Sequence, residues 1–347
     1  MRVLVTGNRG YIGSVLVPLL LERGHEVTGL DSDLFARCSF REEPVDVPTI
    51  PADVRDATID MLGGHDAIIH LAGLSNDPLG DYDEGLTAAI NAAASVRLAA
   101  MAKEAGVARF LFASSCSSYG KAGDGFVDEN APCDPVTAYG RSKIDTEMAL
   151  RQLADEAFSP TYLRASTAYG LSPRIRFDLV VNNLTAWAVA TGEVHLKSDG
   201  TPWRPLVHVE DIARAYVAAL EADRSTVHDR AFNVGQTTEN FRIADIARIV
   251  AGVVPGARLS FAPGAGPDVR NYRVDCGLIA RTLHGFKPQW TCQRGVEQLY
   301  DAFSRQGVTV QAFEGERFSR IAHLKHLVAD GELAPDLRRK SAVAVAA

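Results

Sequence analysis

Short apolar runs alternate with amphipathic stretches along the first half of the chain. The run Arg2–Thr6 is rich in β-branched residues, and apolar residues then recur at helical spacing from Val15 to Leu20. Further runs predict strands at 25–30, 45–50, 66–73, 109–113 and 160–163, and an alanine-rich pattern predicts a helix over 86–105. Strands and helices that alternate in this way predict an α/β fold with a doubly wound parallel sheet.

The pattern changes after residue 168. An amphipathic stretch over 179–189 and a helix over 243–253 are separated by short strands at 194–197, 206–208 and 232–235, and a loop rich in glycine and proline follows at 262–267. We expect a smaller, discontinuous domain that closes over the sheet. The predicted division is a sheet domain of residues 1–168 and 206–235, a smaller domain of 169–205 and 236–300, and a helical extension with a tail, 301–347.

The extension contains one amphipathic pattern. Phe318, Ile321, Leu324 and Leu327 recur at helical spacing and predict a helix. The small residues of the tail, 340–347, have little to bury and are expected to fray.

Composition narrows the class of protein. The 347 residues carry a formal charge of −7, which gives no reason to expect binding to nucleic acid or membrane. The amino terminus enters a strand directly, and no apolar run approaches the ~18 residues of a membrane span, so we expect a cytoplasmic protein. The five scattered cysteines contain no Cys-x-x-Cys pair and predict neither a disulfide framework nor a metal site.

The glycine-rich stretch after the first strand suggests a dinucleotide. Glycines permit a tight turn and a close approach of the backbone to a pyrophosphate, and the helix amino terminus adds N–H donors and partial positive charge. Asp31, at the end of the second strand, can accept both ribose hydroxyls and would repel a 2′-phosphate, which favours NAD over NADP. Arg37 and Arg41 lie downstream and could instead bind a 2′-phosphate.

A possible acid/base pair follows the fifth strand. Tyr139 and Lys143 are four residues apart and share a face if the segment is helical. The ammonium then favours the phenolate and brings the tyrosine pKa down toward working pH. Ser115, delivered by the fifth strand, could hydrogen-bond the same substrate oxygen. Cys116 and His70 are expected to be structural.

These residues jointly resemble the extended short-chain dehydrogenase/reductases that act on nucleotide sugars. The resemblance spans Arg2 to about Phe303 and is carried by Thr6-Gly-x-x-Gly-Tyr-Ile-Gly13, Ser114-Ser-Cys-Ser-Ser-Tyr-Gly120, Tyr139-x-x-x-Lys143, Tyr169-Gly170, Asn182-Asn183-Leu184 and Arg204-Pro-Leu-Val-His208-Val-Glu-Asp211. It implies a Rossmann domain for NAD and a smaller domain for the nucleotide sugar. It also implies a homodimer built from the helices near 87–105 and 137–156.

The resemblance assigns roles to individual residues. Tyr139 would be the general base, Lys143 would lower its pKa and hold the nicotinamide ribose, and Ser115 would bind the sugar oxygen. The residues expected to bind NAD are Gly7, Gly10, Tyr11, Ile12, Gly13, Asp31, Asp53, Val54, Leu71, Ala72, Gly73, Asn91, Ser114, Tyr139 and Lys143. Those expected to bind substrate are Ser115, Ser117, Thr167, Arg176, Asn183, Arg204 and Arg270.

Several of these residues have a simpler interpretation. Arg174 and Arg176 fit a solvated loop face equally well, Arg204 could pair with Glu210 or Asp211, and Asn183 could cap a helix.

Departures from the family patterns help to choose a reaction. The 4,6-dehydratases carry an acidic pair directly after the small hydroxyl residue, where this chain has Cys116 and Ser117, and the 4-epimerases commonly carry asparagine where it has Thr167. The segment 169–183 also resembles a subgroup acting on bacterial surface-polysaccharide or natural-product sugars. The sequence favours a nucleotide-sugar 4-epimerase. The alternatives are a 4-dehydrogenase or 4-ketoreductase, a 4,6-dehydratase, and a non-catalytic NAD-binding regulator.

Overall fold

The strands of the first half form one parallel sheet. The computed structural model describes residues 1–75, 83–266 and 270–340. Its seven strands are β1 (Arg2–Thr6), β2 (Glu26–Leu30), β3 (Thr49–Ile50), β4 (Ala67–His70), β5 (Arg109–Ser115), β7 (Ser159–Ala165) and β11 (Arg230–Val234). They pair in the order β3-β2-β1-β4-β5-β7-β11, and every pairing between neighbours is parallel. The expected doubly wound sheet is confirmed.

Helices cover both faces of this sheet and form part of a second core beside it. Along the chain they are α1 (Gly13–Glu22), α2 (Ile59–Leu62), α3 (Glu84–Glu104), α4 (Ala138–Leu153), α5 (Val180–Thr191), α6 (Val209–Glu221), α7 (Arg224–Val227), α8 (Ile243–Val253), α9 (Gly277–Thr282), α10 (Cys292–Gln306), α11 (Val310–Glu314) and α12 (Arg320–Ala329). Leu16 and Leu20 of α1 pack with α6 on one face, while Leu98 of α3 and Leu150 of α4 pack on the other. The sheet is therefore apolar on both sides, as parallel sheets require.

Helix α3 is the one helix among the described residues that is long and apolar enough to cross a membrane. The buried helix of a sheet-based core meets the same criterion, and Ala94, Leu98, Ala99 and Ala102 of α3 are in that core.

A second core lies beside the sheet. It gathers apolar residues of α5, α8 and α10, among them Val181, Ile246 and Leu299. Two small sheets border it: β8 (Thr167–Tyr169), β10 (Trp203–His208) and β12 (Asn240–Arg242) form one, and β9 (Glu193–Ser198) pairs with β13 (Arg258–Gly266) in the other. A third pair, β6 (Lys121–Val127) with β14 (Asn271–Val274), packs on the core of the large sheet. Helix α10 crosses residue 300, so this core continues into the predicted extension.

Three details differ from the sequence-based expectations. The third strand is only Thr49–Ile50, since just these residues pair with β2. The glycine- and proline-rich stretch belongs to β13 as far as Gly266, because an edge strand with a register shift between Phe261 and Gly266 tolerates both residues. Pro267 lies outside the described residues. The amphipathic helix α10, Cys292–Gln306, was not predicted.

The carboxyl-terminal part returns to the first domain. Helix α12 forms as predicted, and Leu324 and Leu327 are buried against the sheet, in the same core as Leu4 and Phe110. Leu333 and Leu337 join that core. Residues 320–337 are therefore part of the sheet domain's packing. The tail beyond residue 340 lies outside the described residues.

We expect Leu327→Ala to lower the free energy of unfolding by about 2–5 kcal/mol, because it removes buried methyl groups and leaves a cavity. The matched control is Leu259→Ala, since Leu259 is 44% exposed and its replacement should change stability by less than ~0.5 kcal/mol. Urea denaturation of both variants measures the difference. Equal stabilities of the two variants would contradict the packing of α12 on the sheet.

Candidate active site

The glycine loop joins β1 to α1 with little space to spare. Gly7 has φ +75°, and a Cβ there would lie 2.8 Å from the Ala72 nitrogen; a Cβ on Gly13 would overlap the Gly7 oxygen. A Cβ on Gly10 would lie 3.2 Å from the Gly7 oxygen and would be less crowded than one on Gly7 or Gly13. Packing thus requires glycine at 7 and 13, while glycine at 10 leaves the backbone open to a closely approaching pyrophosphate. The loop fits an NAD pyrophosphate at the amino terminus of α1.

Tyr11 connects this loop to the second half of the chain. Its hydroxyl donates to the Gly170 carbonyl at 2.8 Å, and its own carbonyl accepts from the Ser172 hydroxyl at 2.8 Å. Burial raises the pKa of Tyr11 far above its ordinary value. Tyr11 therefore stays neutral. The next residue, Ile12, is the N-cap of α1 and directly precedes its first helical residue, Gly13.

Acidic residues stand at the ends of β2 and β3, as expected. The carboxylate of Asp31 accepts from the backbone N–H of Arg9 (2.9 Å) and of Asp33 (2.7 Å). Burial raises the pKa of Asp31, and the two N–H donors oppose that shift. The Asp53 carboxylate is engaged by the guanidinium of Arg55 at 2.7 and 2.9 Å. Asp53 thus shapes the turn that begins at buried Val54.

The end of β4 lies beside the glycine loop. Leu71 and Ala72 donate backbone hydrogen bonds to Thr6, at 3.0 Å and 3.3 Å. Asn91 holds Leu74 by two hydrogen bonds, 2.7 and 2.9 Å long, and its Oδ1 would lie 2.9 Å from a Cβ on Gly73. Asn91 falls in a π-helical stretch of α3, Ala88–Ala93, a feature frequent at functional sites. The structure thus brings Leu71, Ala72 and Gly73 together with the glycine loop.

His70 is structural, as predicted. Its ring nitrogens lie 2.6 Å from the Thr6 hydroxyl and 2.7 Å from the Ser95 hydroxyl. Burial lowers the pKa of His70 to about 3, so the ring is neutral. Cys116 is also buried, with a thiol pKa raised well above its ordinary value, which is unsuited to a nucleophile.

Strand β5 carries the serines to the end of the sheet. The Ser115 hydroxyl accepts from the Ser117 N–H at 3.1 Å and lies 2.9 Å from the Ser117 hydroxyl. The Ser114 hydroxyl donates to the carboxylate of Glu147 on α4. Ser115 is therefore fixed by the turn that follows the strand, and Ser114 ties the strand to α4.

Tyr139 and Lys143 share one face of α4. Thr137 caps the helix by accepting from the Gly140 N–H at 3.1 Å. The Lys143 ammonium lies 5.4 Å from the centre of the Tyr139 ring and 4.9 Å from that of Phe112. Lys143 is 5% exposed, and burial lowers its pKa to about 8 against an opposing effect of Glu147. The predicted pair is thus brought together beside β5.

A buried ion pair behind these residues was not predicted from the sequence. The carboxylate of Glu147 accepts from the Arg164 guanidinium at 2.7 and 3.0 Å, and the two side chains are 2% and 6% exposed. Arg164 also donates to the Tyr119 hydroxyl at 3.0 Å. The spacing of four residues from Lys143 to Glu147, one helical turn, could have placed Glu147 beside Lys143, but no local pattern joins Glu147 to Arg164 on β7.

The residues expected to bind substrate beyond β5 lie in two separate regions. The first is the segment from Arg176 to Asn183, which leads into α5. Arg176 is 5% exposed, pairs with Asp178 and donates to the Ser75 carbonyl at 3.1 Å. Asn183 donates to the Phe177 carbonyl at 2.9 Å. Burial of both Arg174 (2% exposed) and Arg176 excludes the alternative of a solvated loop face.

The second place is the edge formed by β8 and β10. Thr167 of β8 lies opposite Leu206 of β10, and Arg204 of β10 donates to the Arg270 carbonyl at 2.6 Å. Arg204 and Arg270 are thus neighbours. Glu210 and Asp211, considered as partners of Arg204, both pair with Arg214.

Residues 3–235 match the model of the NAD dependent epimerase/dehydratase family. The chain belongs to this family. It is 31% identical to the UDP-glucose 4-epimerase of Corynebacterium glutamicum over 68% of this chain and 75% of that protein. The expected family and its cofactor, NAD, are confirmed, and the chain is an enzyme of the extended short-chain dehydrogenase type.

Solved structures of the family agree with the fold. MoeE5 in complex with UDP-glucuronic acid and NAD superposes with a TM-score of 0.76, at 28% identity over 88% of this chain and 100% of MoeE5. UDP-glucose 4-epimerase of Thermotoga maritima with UDP-glucose gives 0.77, at 25% identity over 88% of this chain and 99% of its own. The Rossmann architecture expected from the sequence is that of these neighbours.

The pH dependence of kcat/KM tests the role of Lys143. Its ammonium is lost as pH rises through about 8, so activity that needs the charge should fall there. Glu147→Gln removes the charge that raises the Lys143 pKa, and we expect this alkaline limb to move to lower pH. The matched control is Asp145→Asn on the exposed side of α4, with an unchanged limb. A limb at the same pH in Glu147→Gln would refute the coupling.

Proposed function

We propose that the enzyme is an NAD-dependent nucleotide-sugar 4-epimerase that oxidises the sugar at C4. The observation that carries this proposal is the shared face of Tyr139 and Lys143 against β5, the strand that ends in Ser115 and is separated only by β4 from the strand that leads into the glycine loop. Relatives named UDP-glucose 4-epimerase, at 29–31% identity, support it. UDP-glucose and UDP-glucuronic acid, the ligands of the neighbours, indicate the substrate class.

In the proposed mechanism the chain supplies the proton chemistry. Tyr139 removes the proton from the C4 hydroxyl, and Lys143 stabilises the phenolate by its charge. Ser115 hydrogen-bonds the same oxygen and orients it. NAD, which the glycine loop, Asp31 and Lys143 would hold, would supply the acceptance and return of hydride at C4, with the return on the opposite face of the sugar. Tyr139 then gives the proton back, which completes the inversion at C4.

Two positions argue against elimination of water. Dehydration needs an additional acid and base, and the residues directly after Ser115 are Cys116 and Ser117. The Cys116 thiol is buried with a raised pKa, and the Ser117 hydroxyl is bonded to Ser115. These features favour a 4-epimerase over a 4,6-dehydratase. A 4-dehydrogenase or 4-ketoreductase remains the second candidate, since it uses the same proton and hydride step.

The substrate would span the two places described above. Arg204 and Arg270 would hold the diphosphate, with Asn183 as a further donor, because guanidinium groups recognise phosphate by paired hydrogen bonds. Arg176, Thr167 and Ser117 would line the sugar. In this proposal residues 1–168 and 206–235 bind NAD, while 169–205 and 236–300 bind the nucleotide sugar.

Tyr139→Phe should lower kcat for epimerisation of UDP-glucose by a factor of about 10²–10⁴, because general base catalysis is lost, with little change in KM. Tyr300→Phe, a tyrosine on α10 outside the site, is the matched control and should keep full activity. Epimer formation is followed by chromatography, without added cofactor, over a panel of nucleotide sugars. Stoichiometric release of NADH instead of an epimer would favour the dehydrogenase.

We also propose a cytoplasmic homodimer formed through α3 and α4. These helices lie side by side, and Met148 on α4, at 62%, is the most exposed of the large apolar side chains that the structure describes. Arg141 of α4 and Glu84 of α3 form an ion pair near the same face.

Met148→Glu should convert this dimer to a monomer in light scattering coupled to size exclusion, because a charge would be buried in the interface. Phe261→Glu, which replaces a 57% exposed side chain on β13, is the control and should leave the mass unchanged. A protein that is monomeric before substitution would refute the proposed dimer.

A further inference from the structure

Residues 317–340, here called the C-terminal segment, lie against the loops that follow β2 and β3. The two solved neighbours described above cover 88% of this chain but 99–100% of their own. This chain is therefore longer than they are. Its last described residues have a definite place in the fold, which raises the question of what they do there.

The segment holds the backbone of the loop after β2. In residues 31–41, here called the cofactor loop, the carbonyls of Ser32 and Asp33 accept from the Arg339 guanidinium at 3.0 and 2.7 Å. Arg37 of the loop pairs with Glu332 at 2.8 Å. Three points of one loop are thus tied to residues some 300 positions away in the sequence.

One contact with an aromatic ring and one with a backbone carbonyl add to these. The Arg320 guanidinium lies 3.8 Å from the centre of the Phe35 ring, and the Nε2 atom of His323 lies 3.2 Å from the Leu34 carbonyl oxygen. Arg320 is 6% exposed, and burial lowers its pKa to about 10, so the guanidinium remains charged at neutral pH. The middle of the cofactor loop is therefore packed on α12.

The same segment binds the turn after β3. Arg338 donates to both carboxylate oxygens of Asp56, at 3.0 and 3.3 Å. Leu333 and Leu337 are buried beside Val54 in the core of the sheet. The segment therefore joins the two loops between which the adenosine half of a dinucleotide lies in this fold.

These ties reach the residue expected to bind the ribose. Asp31 accepts from the Asp33 N–H at 2.7 Å, and the Asp33 carbonyl is held by Arg339. If the loop opened at Asp33, the Asp31 carboxylate would lose one of the two backbone N–H donors that orient it. Arg339 therefore helps to orient Asp31 through Asp33, which is hydrogen-bonded to both.

We propose that the C-terminal segment is a clasp that holds the cofactor loop over the adenosine half of NAD, so that NAD stays bound between turnovers. Arg338 and Arg339 are positioning residues in this arrangement. The clasp rests on the proposed function, since an epimerase reuses one cofactor molecule. A dehydrogenase, by contrast, must exchange it in every cycle.

The test measures release of NAD from the full-length protein. Truncation would remove four buried leucines and endanger the fold, so Arg338→Ala/Arg339→Ala, which keeps them, is the variant of choice. The control is Arg305→Ala, an arginine on α10 that is 68% exposed and pairs with Asp301. Each protein is saturated with NAD and diluted into excess ADP-ribose, and the NAD still bound is quantified by chromatography over time.

We expect the double variant to release NAD at least about tenfold faster than the unmodified protein, the effect of losing ~1.4 kcal/mol of binding free energy. Its KM for NAD should rise, with kcat at saturating NAD within about twofold. Arg305→Ala should match the unmodified protein. Equal release rates for all three proteins, or a loss of kcat without faster release, would overturn the clasp.

The outcome separates the clasp from the proposed function. Fast release in the double variant, with no epimer formed by the unmodified protein, would uphold the clasp and refute the 4-epimerase. Epimer formation together with equal release rates would uphold the 4-epimerase and refute the clasp. A protein that takes up no NAD would overturn both.

Discussion

The buried ion pair between Glu147 and Arg164 is the interaction on which the proposed catalytic geometry depends. It joins α4, which carries Tyr139 and Lys143, to β7, and through Ser114 it also holds the end of β5. Removing two charges from water is costly, and such a pair is stable only when hydrogen bonds satisfy the remaining groups. Here Ser114 and Tyr119 provide them. The same carboxylate offsets part of the desolvation that lowers the Lys143 pKa.

Charge in this protein is distributed unevenly in a way that suits an anionic ligand. The chain has a formal charge of −7, yet Arg176 and Arg204 are nearly buried at the two places proposed for the substrate. Arg176 is held by the Asp178 carboxylate and Arg204 by the Arg270 carbonyl, which fix the orientation of each guanidinium. Charges in a low-dielectric cleft act over longer distances than charges on the surface, so a local cluster can attract a diphosphate despite the net charge of the whole molecule.

The sequence predicted those features that depend on local patterns. The glycine loop, Asp31 at the end of β2, and the shared face of Tyr139 and Lys143 follow from spacing along one element. The pairing of β13 with β9 and the Glu147–Arg164 pair could not be predicted, because they join elements distant in sequence. Asp53 shows the reverse case: its position at the end of β3 is as expected, but its carboxylate is engaged by Arg55, the neighbour two residues on.

The return of the carboxyl terminus to the first sheet has a consequence for synthesis. The cofactor loop leaves the ribosome some 300 residues before its partners Glu332 and Arg339. Contacts between such distant residues form late, and domains fold from the amino terminus during translation. In the proposed clasp the cofactor loop is therefore held only after Arg339 has been synthesised, and a chain that stops before Glu332 has the glycine loop and Tyr139 but lacks these ties.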